Sequence, residues 1–221
     1  MIQLLHGDCL EVMRGMADNS VDVVVTDPPY GINENDRKIA GRGRWGLTKG
    51  KNVVGNYGVV AWDKGRVPDY AVNEIRRVSS QQVIFGGNYY ADLLPASSSW
   101  IVWDKLNGEN DFADCELAWT SHKKAVRRFR YMWHGMLKQL PEKRYHPTQK
   151  PLALMKWVIE NYTKPNDLVL DPYAGSFTTG VACVLLGRRF IGIERELSYY
   201  EIGQRRIAEA QMQPALFTEA S

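Results

Sequence analysis

The chain lacks the features that mark membrane, disulfide-stapled and metal-clustered proteins. Its 221 residues are 44% hydrophobic, yet no apolar run approaches the roughly 18 residues that a spanning helix needs. The stretch Met1 to Asp8 has neither a basic lead nor a long apolar core, so no secretion signal is expected. Only three cysteines occur, Cys9, Cys115 and Cys183, and their wide separation excludes a disulfide framework and a CxxC metal site. Cys9 and Cys183 read as small buried hydrophobes. His6, His122 and His134 share no metal-ligand spacing, and no metal is expected. With no internal repeat, coiled coil or interdomain linker, residues 1–221 are expected to form one domain around one core.

What is present begins with Asp27-Pro28-Pro29-Tyr30. These residues end the apolar run Val21 to Thr26, which reads as a buried strand of a parallel sheet. Carboxyl ends of such strands form the ligand crevice in open α/β sheets. Two prolines fix φ and remove both N–H donors, so the turn offers carbonyl acceptors with little internal competition. An acid, a carbonyl and an aromatic ring together match an exocyclic amine on a flat heterocycle. A nucleobase amine is a weak nucleophile because its lone pair is delocalised into the ring. Asp27 and the Pro28 carbonyl, each accepting one amine hydrogen, would draw that density back onto nitrogen and stabilise the cation formed on attack, with Tyr30 stacked on the base. Such a base must first be flipped out of a duplex, at a cost of about a few kcal/mol. Taken alone, the tetrapeptide reads equally well as an ordinary strand-ending turn.

Residues 167 to 180 add a second strand, the small-residue turn Asp171-Pro172-Tyr173-Ala174-Gly175-Ser176, and a helix running towards Gly187. A third strand, Arg189 to Ile193, ends at Glu194. Strand, tight turn, helix, strand and acid is the first half of a nucleotide-binding βαβ unit, with the acid placed to accept from ribose hydroxyls. Leu4 to Leu10 gives one more short strand with an acid, Asp8, at its end.

In this order, these segments resemble the beta class of S-adenosylmethionine-dependent DNA amino-methyltransferases. DPPY at 27–30 matches the catalytic motif, DPYAGSFTTG at 171–180 with Glu194 the cofactor motif, GDCL at 7–10 the adenine-contacting motif, and HPTQKP at 146–151 the segment that receives the cofactor's amino-acid end. The resemblance spans nearly the whole chain. It implies a Rossmann-like class I methyltransferase fold of the α/β class: a mostly parallel seven-stranded sheet with helices on both faces, circularly permuted so that the cofactor half comes last. It implies Asp27, Pro28, Pro29 and Tyr30 as catalytic residues. It also implies S-adenosylmethionine as cofactor, held by Asp8, Cys9, Lys150, Asp171, Pro172, Tyr173, Ala174, Gly175, Thr178, Thr179 and Glu194, with the Lys150 ammonium on the cofactor's carboxylate. The partner implied is double-stranded DNA, the assembly a possible homodimer with no membrane association, and the setting the cytoplasm of a bacterial or phage-infected cell.

The methyl acceptor implied is adenine N6, because Asp in the first motif position resembles the adenine enzymes; cytosine N4 is the alternative. Methylation at a cytosine ring carbon is set aside, because no Pro-Cys pair supplies its covalent nucleophile. One departure stands out: Phe177 occupies a position where the family usually has glycine. Strained backbone there would cost about 1–3 kcal/mol. This motivates a second alternative, a catalytically silent DNA-binding module.

A formal charge of +3 hides two basic segments. Ser121 to Lys150 carries nine basic residues against Glu142 alone, including Lys123, Lys124, Arg127, Arg128, Arg130, Lys143 and Arg144, interleaved with Phe129, Tyr131, Trp133 and Tyr145. Residues 121–147 are therefore expected to be a small target-recognition segment on a polyanion. Gly31 to Gly58 carries six basic residues and seven glycines. It reads either as a mobile lid over residues 31–60, with Arg42, Arg44 and Lys49 on phosphates, or as a structureless excursion. Trp45 and Trp62 fit a lid anchor and a core position equally.

Strands are expected near 2–6, 21–26, 82–86, 99–103, 115–120, 167–171 and 189–193, and helices near 9–17, 67–78, 151–162, 177–186 and 197–212. In the 151–162 helix, Met155, Val158, Ile159 and Tyr162 form an apolar stripe, and Pro151 suits its start. His146 reads as a structural hydrogen-bonding residue. The lid reading predicts that duplex DNA protects residues 31–60 from limited proteolysis; equal cleavage with and without DNA would leave the excursion.

Overall fold

The computed structural model describes residues 1–31, 65–107, 113–134 and 137–213. The lid segment beyond Gly31, with Arg42, Arg44, Lys49, Trp45 and Trp62, lies outside them. The chain runs β1 (Ile2–His6), α1 (Cys9–Arg14), β2 (Val21–Thr26), α2 (Asp69–Val78), β3 (Ser79–Phe85), a 3-10 turn at Gly87–Tyr90, β4 (Trp100–Asp104), β5 (Cys115–Thr120) and β6 (Arg127–Arg130). There follow a short hairpin of β7 (Trp133–His134) and β8 (Leu137–Lys138), α3 (Leu152–Tyr162), β9 (Leu168–Asp171), α4 (Thr178–Leu185), β10 (Arg189–Glu194) and α5 (Leu197–Met212).

The main sheet has the order β1-β10-β9-β2-β3-β5-β4-β6. All neighbours are parallel except at β5, which is antiparallel to both β3 and β4. Among the described residues the sheet has eight strands, one more than the seven expected. The extra strand is β6. Its sequence, Arg127-Arg128-Phe129-Arg130, has no alternation of apolar residues to announce it, and only Phe129 is even half-buried. It pairs along β4 at the sheet edge, where charged side chains discourage further strand pairing.

Both faces of the sheet are covered, because the central strands are apolar on both sides. Val23 and Val25 of β2, with Val83 and Phe85 of β3, face α3, α4 and α5 through Leu154, Val158, Ala182 and Ile207. Val24 and Ile84 face the other way, towards α1 and α2 through Met13, Val72 and Ile75. The expected stripe Met155, Val158, Ile159 and Tyr162 is buried. Helix ends carry their own signals. Asp8 caps α1 by accepting from the Leu10 and Glu11 amides at 2.8 and 3.3 Å. Pro151 occupies the N-cap position of α3.

Strand winding reverses between β9 and β2. From β9 the chain steps outward through α4 to β10; from β2 it steps the opposite way through α2 to β3. Neighbouring strands whose connections leave in opposite directions open a crevice at their carboxyl ends. Asp171 and Asp27 both stand at that edge.

Phe177 adopts φ +61°, the left-handed conformation usual for glycine, immediately before α4. Its ring is fully buried, edge-on to Phe190 and Tyr200 with centroids 6.4 and 6.2 Å away. Room for it comes from Gly203 in the middle of α5, where a Cβ would overlap the Phe177 ring, and from Gly192, where one would lie 2.7 Å from it. The backbone strain foreseen at this position is therefore real, and the side chain offsets it by burial in the core. Gly203→Ala is expected to destabilise the protein by about 1–3 kcal/mol by overpacking. In a Phe177→Ala background it should cost clearly less, a coupling that a urea-denaturation double-mutant cycle measures.

Candidate active site

A cavity of about 310 Å³ opens at the reversal point. Gly7 to Leu10 line it from the end of β1, Asp27 and Pro29 from β2, Asp171 to Ser176 from β9, Glu194 to Glu196 from β10, and His146 with Thr148 to Lys150 from the segment before α3. Every residue that the sequence assigns to the cofactor lines this one space: Asp8, Cys9, Lys150, Asp171, Pro172, Tyr173, Ala174, Gly175, Thr178, Thr179 and Glu194. Phe177 does not line it.

Asp171 ties the two halves together. Buried at 3% exposure, it accepts from Thr26 Oγ1 at 2.9 Å, Thr179 Oγ1 at 2.6 Å and the Tyr173 amide at 3.2 Å. Burial raises its carboxyl to about 6 against the pull of those donors. Glu194 pins the glycine turn, accepting from the Gly175 amide at 2.7 Å and the Glu196 amide at 2.8 Å; burial raises its carboxyl as well. Glu194 itself lines the cavity.

The Asp27–Tyr30 turn is braced by side chains from several elements. The Tyr30 ring stacks on Tyr89 with centroids 4.9 Å apart and planes at 16°. Its hydroxyl donates to Asp27 Oδ1, and the Tyr90 hydroxyl donates to the Pro29 carbonyl. Gly86, at φ +65°, lets the chain pass under the Tyr30 ring, where a Cβ would collide with it. Asp27 Oδ2 accepts from Lys150 Nζ at 2.5 Å. That ammonium also lies 3.0 Å from Glu116 Oε2, and Lys105 Nζ lies 2.5 Å from Glu116 Oε1. The sequence points Lys150 at a cofactor carboxylate; the structure bonds it to the acid of the catalytic turn.

Burial is the largest single influence on each group of this cluster, and partners decide the outcome. Burial raises the Asp27 carboxyl to about 6, helped by the charges of Glu116 and Asp171 and opposed by Lys150. Burial also works against ionised Glu116, but the ammoniums of Lys150 and Lys105 outweigh it and bring that carboxyl to about 2. For Lys150, burial favours the neutral amine, yet Asp27 and Glu116 prevail and hold it protonated above the ordinary lysine range.

Three contributors escape sequence reasoning. Glu116 is one acid in an otherwise unremarkable strand. Gln149, 5% exposed, staples Ser176 of the cofactor turn to Tyr145, Lys143 and Glu142, its amide bonding all four; its place in HPTQKP was the available signal. Arg206 of α5 reaches Ser176 Oγ at 2.9 Å and Thr178 Oγ1 at 3.0 Å, signalled only by a charge on a buried helix face. His146 meets its expectation: Nδ1 lies 3.1 Å from Thr148 Oγ1, and the ring packs edge-on to Tyr199.

The basic segment does not form one patch. Lys124 donates to the Asn161 carbonyl and lies over the Tyr162 ring at the far end of α3, about 10 Å along the helix from Met155 in the cavity lining by its rise. Lys123 precedes it there. Arg127 and Arg128 are exposed along the β6 edge. Arg130 pairs with Asp104 at 3.1 Å, Lys143 lies over Tyr145, and Arg144 over Trp133, towards the crevice.

Fold and cavity together are those of a Rossmann-like α/β methyltransferase. Residues 102–205 match the family model described as DNA methylase. The chain is 30% identical over 227 residues to the putative methylase YubD of Escherichia coli, with 96% of this chain and 92% of that protein covered. It is 28% identical to the DNA adenine methyltransferase YhdJ of the same organism, covering 92% and 82%. The crystal structure of the M1.HpyAVI–SAM complex superimposes with a TM-score of 0.59 at 27% identity, covering 94% of this chain and 99% of that one. The chain belongs to the N6/N4 DNA methylase family, whose members are DNA amino-methyltransferases.

Lys150→Met would leave Asp27 and Glu116, both half-buried, without their shared cation. The expected loss of stability is about 3–5 kcal/mol at neutral pH. Lys150 lowers the Asp27 carboxyl, so its removal raises that group further above 6. The loss should then shrink as pH falls and Asp27 protonates, which denaturation at pH 8 and pH 5 compares directly.

Proposed function

We propose that this protein transfers a methyl group from S-adenosylmethionine to the N6 amine of an adenine flipped out of duplex DNA. The observation that carries the reading is Asp27. It stands on a rigid Pro-Pro turn inside the same cavity that Asp8, Gly175 and Glu194 line, so acceptor and donor ends share one space. The residues present fit that cofactor. Glu194 and Asp8 supply acceptors at the ends of β10 and β1, and the cavity's carboxylates suit a cationic sulfonium. When bound, the cofactor supplies an electrophilic methyl on sulfur.

The chain's own groups prepare the amine. Asp27 and the Pro28 carbonyl accept its two hydrogens, restoring lone-pair density on nitrogen, and Tyr30 holds the base by stacking. Ionised Asp27 stabilises the positive charge that develops on attack. Tyr89 and Tyr90 keep Tyr30 and Pro29 in place for this. No covalent intermediate is needed. Adenine is favoured over cytosine by the acid at position 27, and YhdJ, an adenine methyltransferase by name, is among the relatives. The case for a silent module rested on Phe177, whose ring lies in the core and away from the cavity. Among the described basic residues, Arg130, Lys143 and Arg144 are the proposed DNA contacts.

Mass spectrometry of nucleosides from unmethylated duplex incubated with protein and S-adenosylmethionine should reveal N6-methyladenine, absent with Asp27→Ala. N4-methylcytosine instead would move the acceptor to cytosine. With the Asp27 carboxyl at about 6, kcat/KM should be full above that pH and fall below it, because a protonated carboxyl donates where the mechanism needs an acceptor.

A further inference from the structure

Four charges of alternating sign run in a row through the catalytic centre. Lys105 Nζ lies 2.5 Å from Glu116 Oε1, Glu116 Oε2 lies 3.0 Å from Lys150 Nζ, and Lys150 Nζ lies 2.5 Å from Asp27 Oδ2. Glu116 sits on β5, outside the cavity lining, and reaches the catalytic turn only through Lys150. Its Oε2 is closed to solvent and pairs with the Lys150 ammonium at 3.0 Å. A carboxylate oxygen that holds one donor can accept another, so Glu116 has acceptor capacity in reserve. Asp27 has the opposite condition. Its Oδ1 already takes the Tyr30 hydroxyl and its Oδ2 takes Lys150, so the groups that hold it compete with an incoming amine.

We propose that Glu116 is a positioning residue for methyl transfer, the carboxylate towards which the Lys150 ammonium moves when Asp27 Oδ2 turns to the target amine. The proposal rests on the reading of Asp27 as the amine's acceptor. Lys150 already bridges the two acids, so a small displacement along the line between them transfers its hydrogen bond. Lys150 stays protonated throughout, and no covalent bond to it forms or breaks. Without Glu116 the ammonium would have to leave Asp27 for nothing, an uncompensated buried charge. The charged and titratable groups facing Asp27 are Lys150 from the segment before α3, Glu116 from β5, Asp171 from β9 and Tyr30 on its own turn; Lys105 acts on Glu116.

The test is the pH profile of kcat, with saturating cofactor and duplex, for wild type, Glu116→Gln, Glu116→Asp and Lys105→Met. In Glu116→Gln, Lys150 belongs to Asp27 alone. Then kcat should fall roughly tenfold or more with the cofactor KM little changed, and the acid limb should move down by about half a pH unit or more. Lys105→Met leaves the charge of Glu116 wholly to Lys150, loosening its hold on Asp27, so the limb should move up. Glu116→Asp should recover part of the lost kcat. A wild-type kcat and acid limb in Glu116→Gln overturns the proposal, as do limbs moving in the same direction in the Gln and Met variants. If cofactor titration shows that Glu116→Gln does not fold, an unmoved limb in both other variants overturns it. An inactive wild type, or an active Asp27→Ala, removes the reading of Asp27 itself and the proposal with it.

Discussion

Everything at the site depends on the seam between β2 and β9. These strands come from opposite ends of the chain, yet they pair in parallel, Val23 with Val169 and Val24 with Leu170. Their connections wind outward in opposite directions, so their carboxyl ends are left uncovered while both faces are packed. The Thr26 hydroxyl on Asp171 locks the seam at the level of the crevice. Through it the catalytic turn after β2 and the glycine turn after β9 become two walls of one cavity.

Charged groups placed at the edge of packed layers lose hydration, which disfavours their ionised forms. The chain answers by pairing rather than by avoiding charge. Asp27 and Glu116 share the Lys150 ammonium, and Lys105 closes the row on the outer side. Asp171 and Glu194 are held by hydroxyl and backbone donors instead. The consequence is a set of carboxyls with separated titration behaviour, Glu116 near 2 and Asp27 and Asp171 near 6. Groups so close in type are driven apart by the number and kind of partners each finds. An acid poised near 6 is ionised at neutral pH and remains sensitive to the charges around it, which suits the proposed acceptor of an amine's hydrogen bonds.

Phe177 shows how a residue that breaks a local pattern is accommodated. In the turn it takes a glycine conformation, and the strain is met by a ring buried against Phe190 and Tyr200 over two glycines. The cofactor turn keeps its shape because the bulk is directed inward, and Gln149 and Arg206 secure Ser176 from two further elements. The neighbouring turn of the catalytic half is secured in the same manner, by Tyr89 and Tyr90 from the 3-10 turn after β3.

The sequence by itself determined the elements and the motif ends. Hydrophobic runs bounded by acids located β2, β9 and β10, helical periodicity located α3, and turn chemistry placed Asp8, Asp27, Asp171 and Glu194 at strand ends, because each of these signals is local. The charged edge strand β6 was illegible, since pairing with β4 rather than any apolar pattern makes it a strand. The basic segment read as a single recognition segment because a sum of charges carries no direction; β6 and the β7–β8 hairpin separate Lys124, beside Asn161, from Lys143 and Arg144. Likewise Lys150 lies 123 positions from Asp27 and Glu116 lies between them in sequence. Their contact exists only because the sheet brings the end of β2, the start of β5 and the segment before α3 to one edge, and desolvation there makes partners of charges that water would otherwise screen.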